Sequence, residues 1–395
     1  MSITTKHAKD TKRELPPGWK WVRLGEVCEL NYGSSLVEAT RQQGNIPVYG
    51  SNGIVGYHNK PITSGPTVVI GRKGSVGQIH FSPVACYPID TTYYIQHTNL
   101  PVDLEWLSNI LKVLDLSHLN KASGVPGLNR NDVTKLFIPL PPLPEQQRIA
   151  AILREQMAAV ERARKAAEER LEAVKSLPAA FLRQVFPQPG QPLPPGWKWV
   201  RLGDCTVKIG SGLTPLGGQA TYVSAGIPLI RSQNVHMNRF AYEGLAFITG
   251  EQDESMSESR VQPGDVLLNI TGASIGRVCV VPDELTPANV NQHVSIIRSN
   301  GSLDPWFLSV FLSTPAFQKH ILDTQAGATR QALTKSLIGS FQVPLPPLPE
   351  QQRIAAILRQ QMAAVERARK AAEEELETIN ALPAALLRRA FAGEL

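Results

Sequence analysis

The sequence predicts an α+β fold: two strand-rich globular domains separated by two long antiparallel coiled-coil helices, the halves forming a pseudo-two-fold internal repeat. Three observations predict it. Residues 139–186 return as 344–391, 205 positions later, with nine differences among 48 residues, from Glu155/Gln360 to Val185/Ala390. The segment LPPGWKWVRLG at 15–25 recurs unchanged at 193–203, 178 positions later. The stretches between, 26–138 and 204–343, share only scattered resemblance, and the second is 27 residues longer. Identical frames hold two different inserts, a pattern suited to recognising two different things at a fixed separation. The chain divides accordingly into a first globular domain at 1–138, a long-helix region at 139–186, a stiff proline-rich linker (PQPGQP) at 187–192, a second globular domain at 193–343 and a second long-helix region at 344–395.

The opening segment, MSITTKHAKDTKRE, has no apolar targeting core, and no stretch reaches the ~18 apolar residues of a membrane span. A soluble, cytoplasmic protein is the expectation. The four cysteines, Cys28, Cys86, Cys205 and Cys279, lie far apart without a CxxC spacing, so reduced, packed thiols are expected. The net charge of +6 permits nucleic-acid binding without establishing it.

Each insert carries short β-branched runs broken by glycine, asparagine and proline. Strands are predicted at 67–71, 78–81, 93–96, 265–269, 277–281 and 294–297, with short helices near 104–114 and 305–311. In the duplicated block, Pro144 and Pro349, followed by Glu145 and Glu350, suit a first helical turn, where proline loses no hydrogen bond and an acid meets the positive dipole end. Leu153, Met157, Val160, Arg164, Ala167, Leu171 and Val174 then fall at alternating spacings of four and three. Leu358, Met362, Val365, Arg369, Ala372, Leu376 and Ile379 repeat them, and the period is that of a coiled-coil seam. Neither seam is apolar enough to stand alone, so the two helices are expected to pack antiparallel on each other. Arg164 and Arg369 either fix the register or snorkel to the seam edge. Pro178 and Pro383 are expected to end or sharply kink each helix, with a short apolar helix following. The PLPPLP stretch before each helix is read as an extended lead-in from the last strand, ahead of a proline-ligand reading.

No catalytic constellation emerges. A phosphate-binding GxxxxGK[ST] loop is absent, and GRKGSVG at 71–77 lacks both the strand-to-helix context and the lysine after the last glycine that such a loop needs. No HExxH, EF-hand, Ser-His-Asp or nuclease-like carboxylate pattern is present, and the histidines, among them His58, His80, His236 and His293, read as turn or surface residues. No catalytic, cofactor-binding or metal-binding residue is therefore expected. The inserts instead carry polar side chains on glycine-punctuated turns: Ser51 and Asn52; Arg72, Lys73 and Ser75; Asn129 and Arg130. The second half has Arg231, Gln233 and Asn234; Thr271 and Ser274; Arg330 and Gln331. Arginine can grip the major-groove edge of guanine, asparagine and glutamine that of adenine, while serine, threonine and lysine anchor phosphates. These residues also populate turns for purely conformational reasons, but the sets recur at similar places in both inserts.

With these residues in view the chain resembles specificity subunits of type I restriction–modification systems. The resemblance rests on LPPGWKWVRLG opening each half, and on IPVYGSNGIVGYHN and IGRKGSVG in the first insert. It rests equally on AGIPLIRSQNV and DVLLNITGASIGRVCVV in the second, and on PLPPLPEQQRIAAIL before each long helix. It implies two target recognition domains, each reading half of a split, asymmetric site in double-stranded DNA, with the long helices as a ruler for the unread spacer. It implies two methyltransferase (modification) subunits carrying S-adenosylmethionine, joined in a complete system by ATP-dependent restriction subunits. The catalysis would then belong to the partners, with no cofactor in this chain. A helix from Glu145 to Lys175 would be roughly 45 Å long, against ~34–36 Å for one turn of B-DNA. Trp19, Trp21, Trp197 and Trp199 are either docking anchors for the partners or core residues of their own domains. Two rival readings are a self-contained methyltransferase or nuclease, and a coiled-coil adaptor with no DNA role.

Overall fold

The computed structural model describes residues 15–120, 127–187, 191–324 and 332–395. The chain forms two units: Met1–Glu169 with Glu373–Leu395, and Arg170–Ala372. Each long helix thus gives its first part to one unit and its last part to the other.

The repeated LPPGWKWVRLG segment builds the same device twice. Pro17 and Gly18 occupy the two central positions of a tight turn. The Trp19 amide donates to the Pro16 carbonyl (3.1 Å), and Gly18 takes φ +83°, a conformation that favours glycine. The turn feeds the strand Lys20–Arg23, which pairs antiparallel with Phe137–Leu140, Lys20 opposite Leu140. The second unit repeats this with Gly196 (φ +83°) and with Lys198–Arg201 against Gln342–Leu345. The PLPPLP stretch is the lead-in that its position suggests: its first two residues close the strand, and the helix starts at Leu143 or Leu348.

The dissimilar inserts share one topology. In the first unit an antiparallel sheet runs in the order Asn31–Tyr32, Thr92–Ile95, Thr67–Gly71, Ile79–Ser82. Its counterpart runs Thr206–Ser211, Val294–Ser299, Val266–Asn269, Val278–Val280. A second, mixed sheet has Ile46–Gly50 at its centre, antiparallel to Gly53–His58 and parallel to Tyr87–Pro88. Ile227–Ile230 holds the same place between Ala246–Ile248 and Asn289–Val290. All six expected strands are present within a residue or two. The longer second insert adds a small hairpin (Val235–His236 with Arg239–Phe240) and the helices Gly250–Ser255 and Pro315–Thr324.

The short helices Leu104–Leu114 and Pro305–Leu312 start where aspartates cap them: Asp103 accepts from the Trp106 amide (2.8 Å) and Asp304 from the Phe307 amide (2.9 Å). A glutamine from the duplicated EQQR locks each cap to the start of a long helix. Gln146 accepts from the Asp103 amide (2.9 Å) and donates to the Pro141 carbonyl (2.9 Å). Gln351 accepts from the Asp304 amide (2.8 Å) and donates to the carbonyls of Ser302 (3.0 Å) and Pro346 (2.9 Å). Both glutamines are buried, so the repeat of EQQR follows from a repeated joint between recognition insert and helix.

In the first unit Ile149, Ala150 and Leu153, from the start of the first long helix, share a core with Ala390 and Phe391, from the end of the second. In the second unit Leu182 and Phe186 pack with Ile354, Ala355 and Leu358. The start of one helix therefore lies with the end of the other in each unit, the antiparallel arrangement expected. The aromatic contacts are Trp106–Phe391 (ring centroids 5.9 Å apart) and Phe186 against Phe307 and Phe311 (5.3 and 5.4 Å).

The prolines overturn one expectation. The helices run Leu143–Val185 and Leu348–Phe391, continuous through Pro178 and Pro383, with no separate apolar helix after them. Each proline removes a single backbone donor. The apolar residues beyond it, Leu182 and Phe186 in one case and Ala390 and Phe391 in the other, are held by core packing that keeps the segment helical. Along the stripe Leu153, Ala167, Leu171, Leu358, Val365 and Ala372 are buried. Met157, Val160, Val174, Met362, Leu376 and Ile379 are half-buried. The seam arginines reach acids on their own helices, Arg164 bonding Glu161 and Glu168 (both 2.6 Å) and Arg369 bonding Glu366 (2.6 Å). That is the edge position of a snorkelling side chain.

Candidate nucleic-acid interface

In the first unit the three polar turns come together. Ser51 and Asn52 form the two-residue link of the hairpin in which Gly50 pairs with Gly53. The 72–75 turn is closed by the Gly77 amide on the Gly71 carbonyl (2.8 Å). A Cβ on Gly71 would sit 2.1 Å from the Ser75 carbonyl oxygen and 3.0 Å from that of Ser51. Only glycine there lets the two turns approach so closely. The third turn joins through the Leu128 amide, which donates to the Arg72 carbonyl (2.9 Å), and through a bridge between Lys73 and Gly127. The Arg72 and Lys73 amides both donate to the Thr91 carbonyl (2.9 and 3.1 Å), bringing in a fourth segment.

The second unit repeats these bonds with different residues. The Gly276 amide donates to Asn269 (2.9 Å), the Ile270 amide to His293 (3.0 Å) and the Leu333 amide to Ile270 (3.0 Å). Asn269 ties in the 231–234 turn by donating to the Ser232 carbonyl (2.8 Å). By this matching Ile270 stands where the first unit has Arg72, Thr271 where it has Lys73, and His293 where it has Thr91. The scaffold is constant and the side chains are not.

Some of the candidate residues belong to the scaffold. Asn234 is 0% exposed; it accepts from the Arg231 amide (3.0 Å) and donates to the carbonyls of Ala241 (2.9 Å) and Glu243 (3.3 Å). That corrects the expectation of an adenine reader, because its amide is fully engaged inside the protein. Asn129 caps the helix Arg130–Thr134 by accepting from the Asn131 amide (2.8 Å). Arg231 donates to the Gly244 carbonyl (2.6 Å) and lies over the Tyr222 ring (5.6 Å). Gln233 donates to the same carbonyl (3.0 Å) but remains exposed. Asn52 and Lys73 are exposed, Ser51, Ser75 and Ser274 half-buried. Thr271 is hydrogen-bonded to His293 (Oγ1 to Nδ1, 2.7 Å). Arg330 and Gln331 lie outside the described residues.

His293 and Thr91 were not among the candidates. Their signal is the backbone bond each makes to the glycine turn, which a sequence does not display. His80 does reach a turn, bonding the Ser51 carbonyl (3.3 Å), and burial pushes its pKa below the ordinary histidine value. His58 is buried, accepting from the Gln42 amide (3.0 Å), and so is not a surface residue. All four cysteines are buried and unpaired, and burial raises Cys28 and Cys279 to about 12. No group of three or more metal-ligating side chains is present among the described residues, and no described helix is long and apolar enough to cross a membrane.

The repeated tryptophans divide. Trp19 and Trp197 pack against the cores of their units, which removes them as docking anchors. Trp21 is half-buried. Trp199 is 45% exposed and lines a cavity of about 460 Å³ with Phe311, Phe317, Phe341, Arg183 and His320.

Two strand-rich units built on one repeated frame, with polar turns gathered on a shared scaffold, define a double recognition module. The chain belongs to the family of the type I restriction modification DNA specificity domain, whose model matches residues 16–170 and 194–377. Among its relatives, the type I restriction enzyme EcoBI specificity subunit of Escherichia coli is 31% identical over 177 residues, 44% of this chain and 36% of that protein. The MjaVIII specificity subunit of Methanocaldococcus jannaschii is 24% identical over 91% of this chain and 90% of that one. The HsdS subunit from Thermoanaerobacter tengcongensis superposes with a TM-score of 0.62 at 26% identity, covering 97% of this chain and 99% of that one. A chain from a structure concerned with complex assembly and conformational transition of the type I R–M system gives 0.74, also at 26% identity, over 97% of this chain and all of that one.

Proposed function

We propose that this protein is the DNA-specificity subunit of a type I restriction–modification system. It reads a two-part, asymmetric site in double-stranded DNA and directs methyltransferase and restriction subunits there, without catalysing a reaction itself. The carrying observation is the turn scaffold found twice with different side chains, Lys73 in the first unit standing where the second has Thr271. One backbone design then presents two chemical surfaces, as two unlike half-sites require. In this reading S-adenosylmethionine and ATP are held by the partner subunits, and the complex works in the cytoplasm. Co-expression with the modification subunit of its own system, followed by genome-wide mapping of methylated adenine, is expected to yield one new motif of two parts with a constant gap. A folded, partner-bound complex that adds no methylation would overturn the reading.

The frame is repeated because two copies of one partner bind it, and Trp199 is the repeated tryptophan most open to a partner. Trp199→Ala is expected to weaken binding of the modification subunit by about 2 kcal/mol, roughly 30-fold, without unfolding the chain. Trp197→Ala is expected to destabilise the second unit instead. Unchanged partner affinity in Trp199→Ala, measured by calorimetric titration, would remove the docking role.

A further inference from the structure

We infer that Tyr32, Arg72 and Arg130 together grip the DNA backbone at the first half-site, leaving base reading there to other side chains on the gathered turns, the exposed Asn52 among them. The inference rests on the specificity-subunit reading and divides the labour within its first unit. Tyr32 is 53% exposed, yet it is fixed edge-on against Tyr93 (centroids 5.0 Å apart). Two guanidinium groups from turns far apart in sequence flank it, Arg72 at 5.3 Å and Arg130 at 5.7 Å from its centroid. Each is tethered to a backbone carbonyl, Arg72 to Asp90 (2.6 Å) and Arg130 to Leu30 (3.4 Å). Among the described residues neither has a carboxylate within ion-pair distance, nor does the adjacent Lys73. Two positive charges are thus gathered beside one exposed ring, with no carboxylate among the described residues at ion-pair distance from either.

The tethers decide which part of DNA these arginines meet. Guanine is gripped by two parallel hydrogen bonds from a guanidinium free to lie in the base plane. Arg72 has one terminal nitrogen on the Asp90 carbonyl and its Nε buried without a partner, so that fork is not free. A phosphate needs only a fixed positive charge and a single donor, which both arginines retain. The tyrosine ring, attracted to both cations, holds them in place before DNA arrives. The second unit has Ser211 at the Tyr32 position, because Gly212 takes the place of Gly33: their amides donate to Val294 (3.4 Å) and Thr92 (3.1 Å). With Ile270 in place of Arg72, this grip is a property of the first unit.

The test uses the complex with modification subunits and a duplex carrying its mapped site. DNA affinity is titrated against salt, and the methylated motif is mapped for each variant. Tyr32→Ala and Arg130→Ala are expected to weaken binding roughly tenfold, and to reduce the slope of log affinity against log salt by about 1, with the motif unchanged. Arg130→Lys should restore the slope, and Tyr32→Phe, which keeps the ring, should behave as wild type. A relaxed first half-site with an unaltered slope would overturn the assignment by making these residues base readers. Wild-type slope and affinity in folded Tyr32→Ala and Arg130→Ala complexes would overturn it as well. A wild-type complex that methylates no two-part site would instead sink the specificity-subunit reading, and this inference with it.

Discussion

Duplicating seven residues in both long helices is expected to lengthen the unread gap by about three base pairs while leaving both half-sites intact. The insertion would repeat residues 159–165 in the first helix and 364–370 in the second, which are the same sequence, AVERARK. Seven residues add roughly 10 Å at ~1.5 Å each, and stacked base pairs rise ~3.4 Å. A heptad preserves the seam, because each insert brings its own valine and arginine in the existing four-three spacing. Both helices must be altered together. An insert in one alone displaces its seam against the other and is expected to destabilise the protein. Methylome mapping reads the gap directly, and an unchanged gap in a folded double-insertion variant would refute the ruler.

Gln351→Leu is expected to destabilise the protein by about 3 kcal/mol. The leucine has a similar size, so the effect isolates the hydrogen bonds. One partly buried amide, that of Asp304, and two carbonyls, those of Ser302 and Pro346, lose their partner at once. These bonds hold the residue that caps the helix Pro305–Leu312 against the long helix, so the capped end loses its anchor. Scanning calorimetry should show a transition several degrees lower, and hydrogen exchange should quicken at the Phe307 amide. A transition within a degree of wild type would mean that the joint is held by apolar packing alone. Gln146→Leu is expected to do the same in the first unit, where Trp106 follows the cap.

The frame was legible in the sequence because its determinants are local or repeated. A proline and a glutamate at a helix start and a four-three seam each act within a few residues, and the duplication marks their edges. The prolines at 178 and 383 misled because their cost is local while the packing that outweighs it comes from residues distant in sequence. The turns of the interface could be named, since glycine and asparagine announce them. Which side chains on them face outward could not: Asn234 and Gln233 are neighbours of similar chemistry, one wholly inside and the other exposed. Tyr32 escaped notice for the same reason, since an ordinary tyrosine becomes a platform only when two arginines, 40 and 98 positions away, meet it.

The placing of Phe391 against Trp106 has a consequence for biosynthesis. The first unit is the first to leave the ribosome, yet its core lacks a wall until the far end of the second long helix has been translated. Everything in between must be made while that core waits open. A chain cut short before residue 391 leaves apolar surface around Trp106 uncovered, the kind of surface that chaperones and proteases recognise. Any copy that stops short of residue 391, whether it holds one insert or both, keeps that surface open.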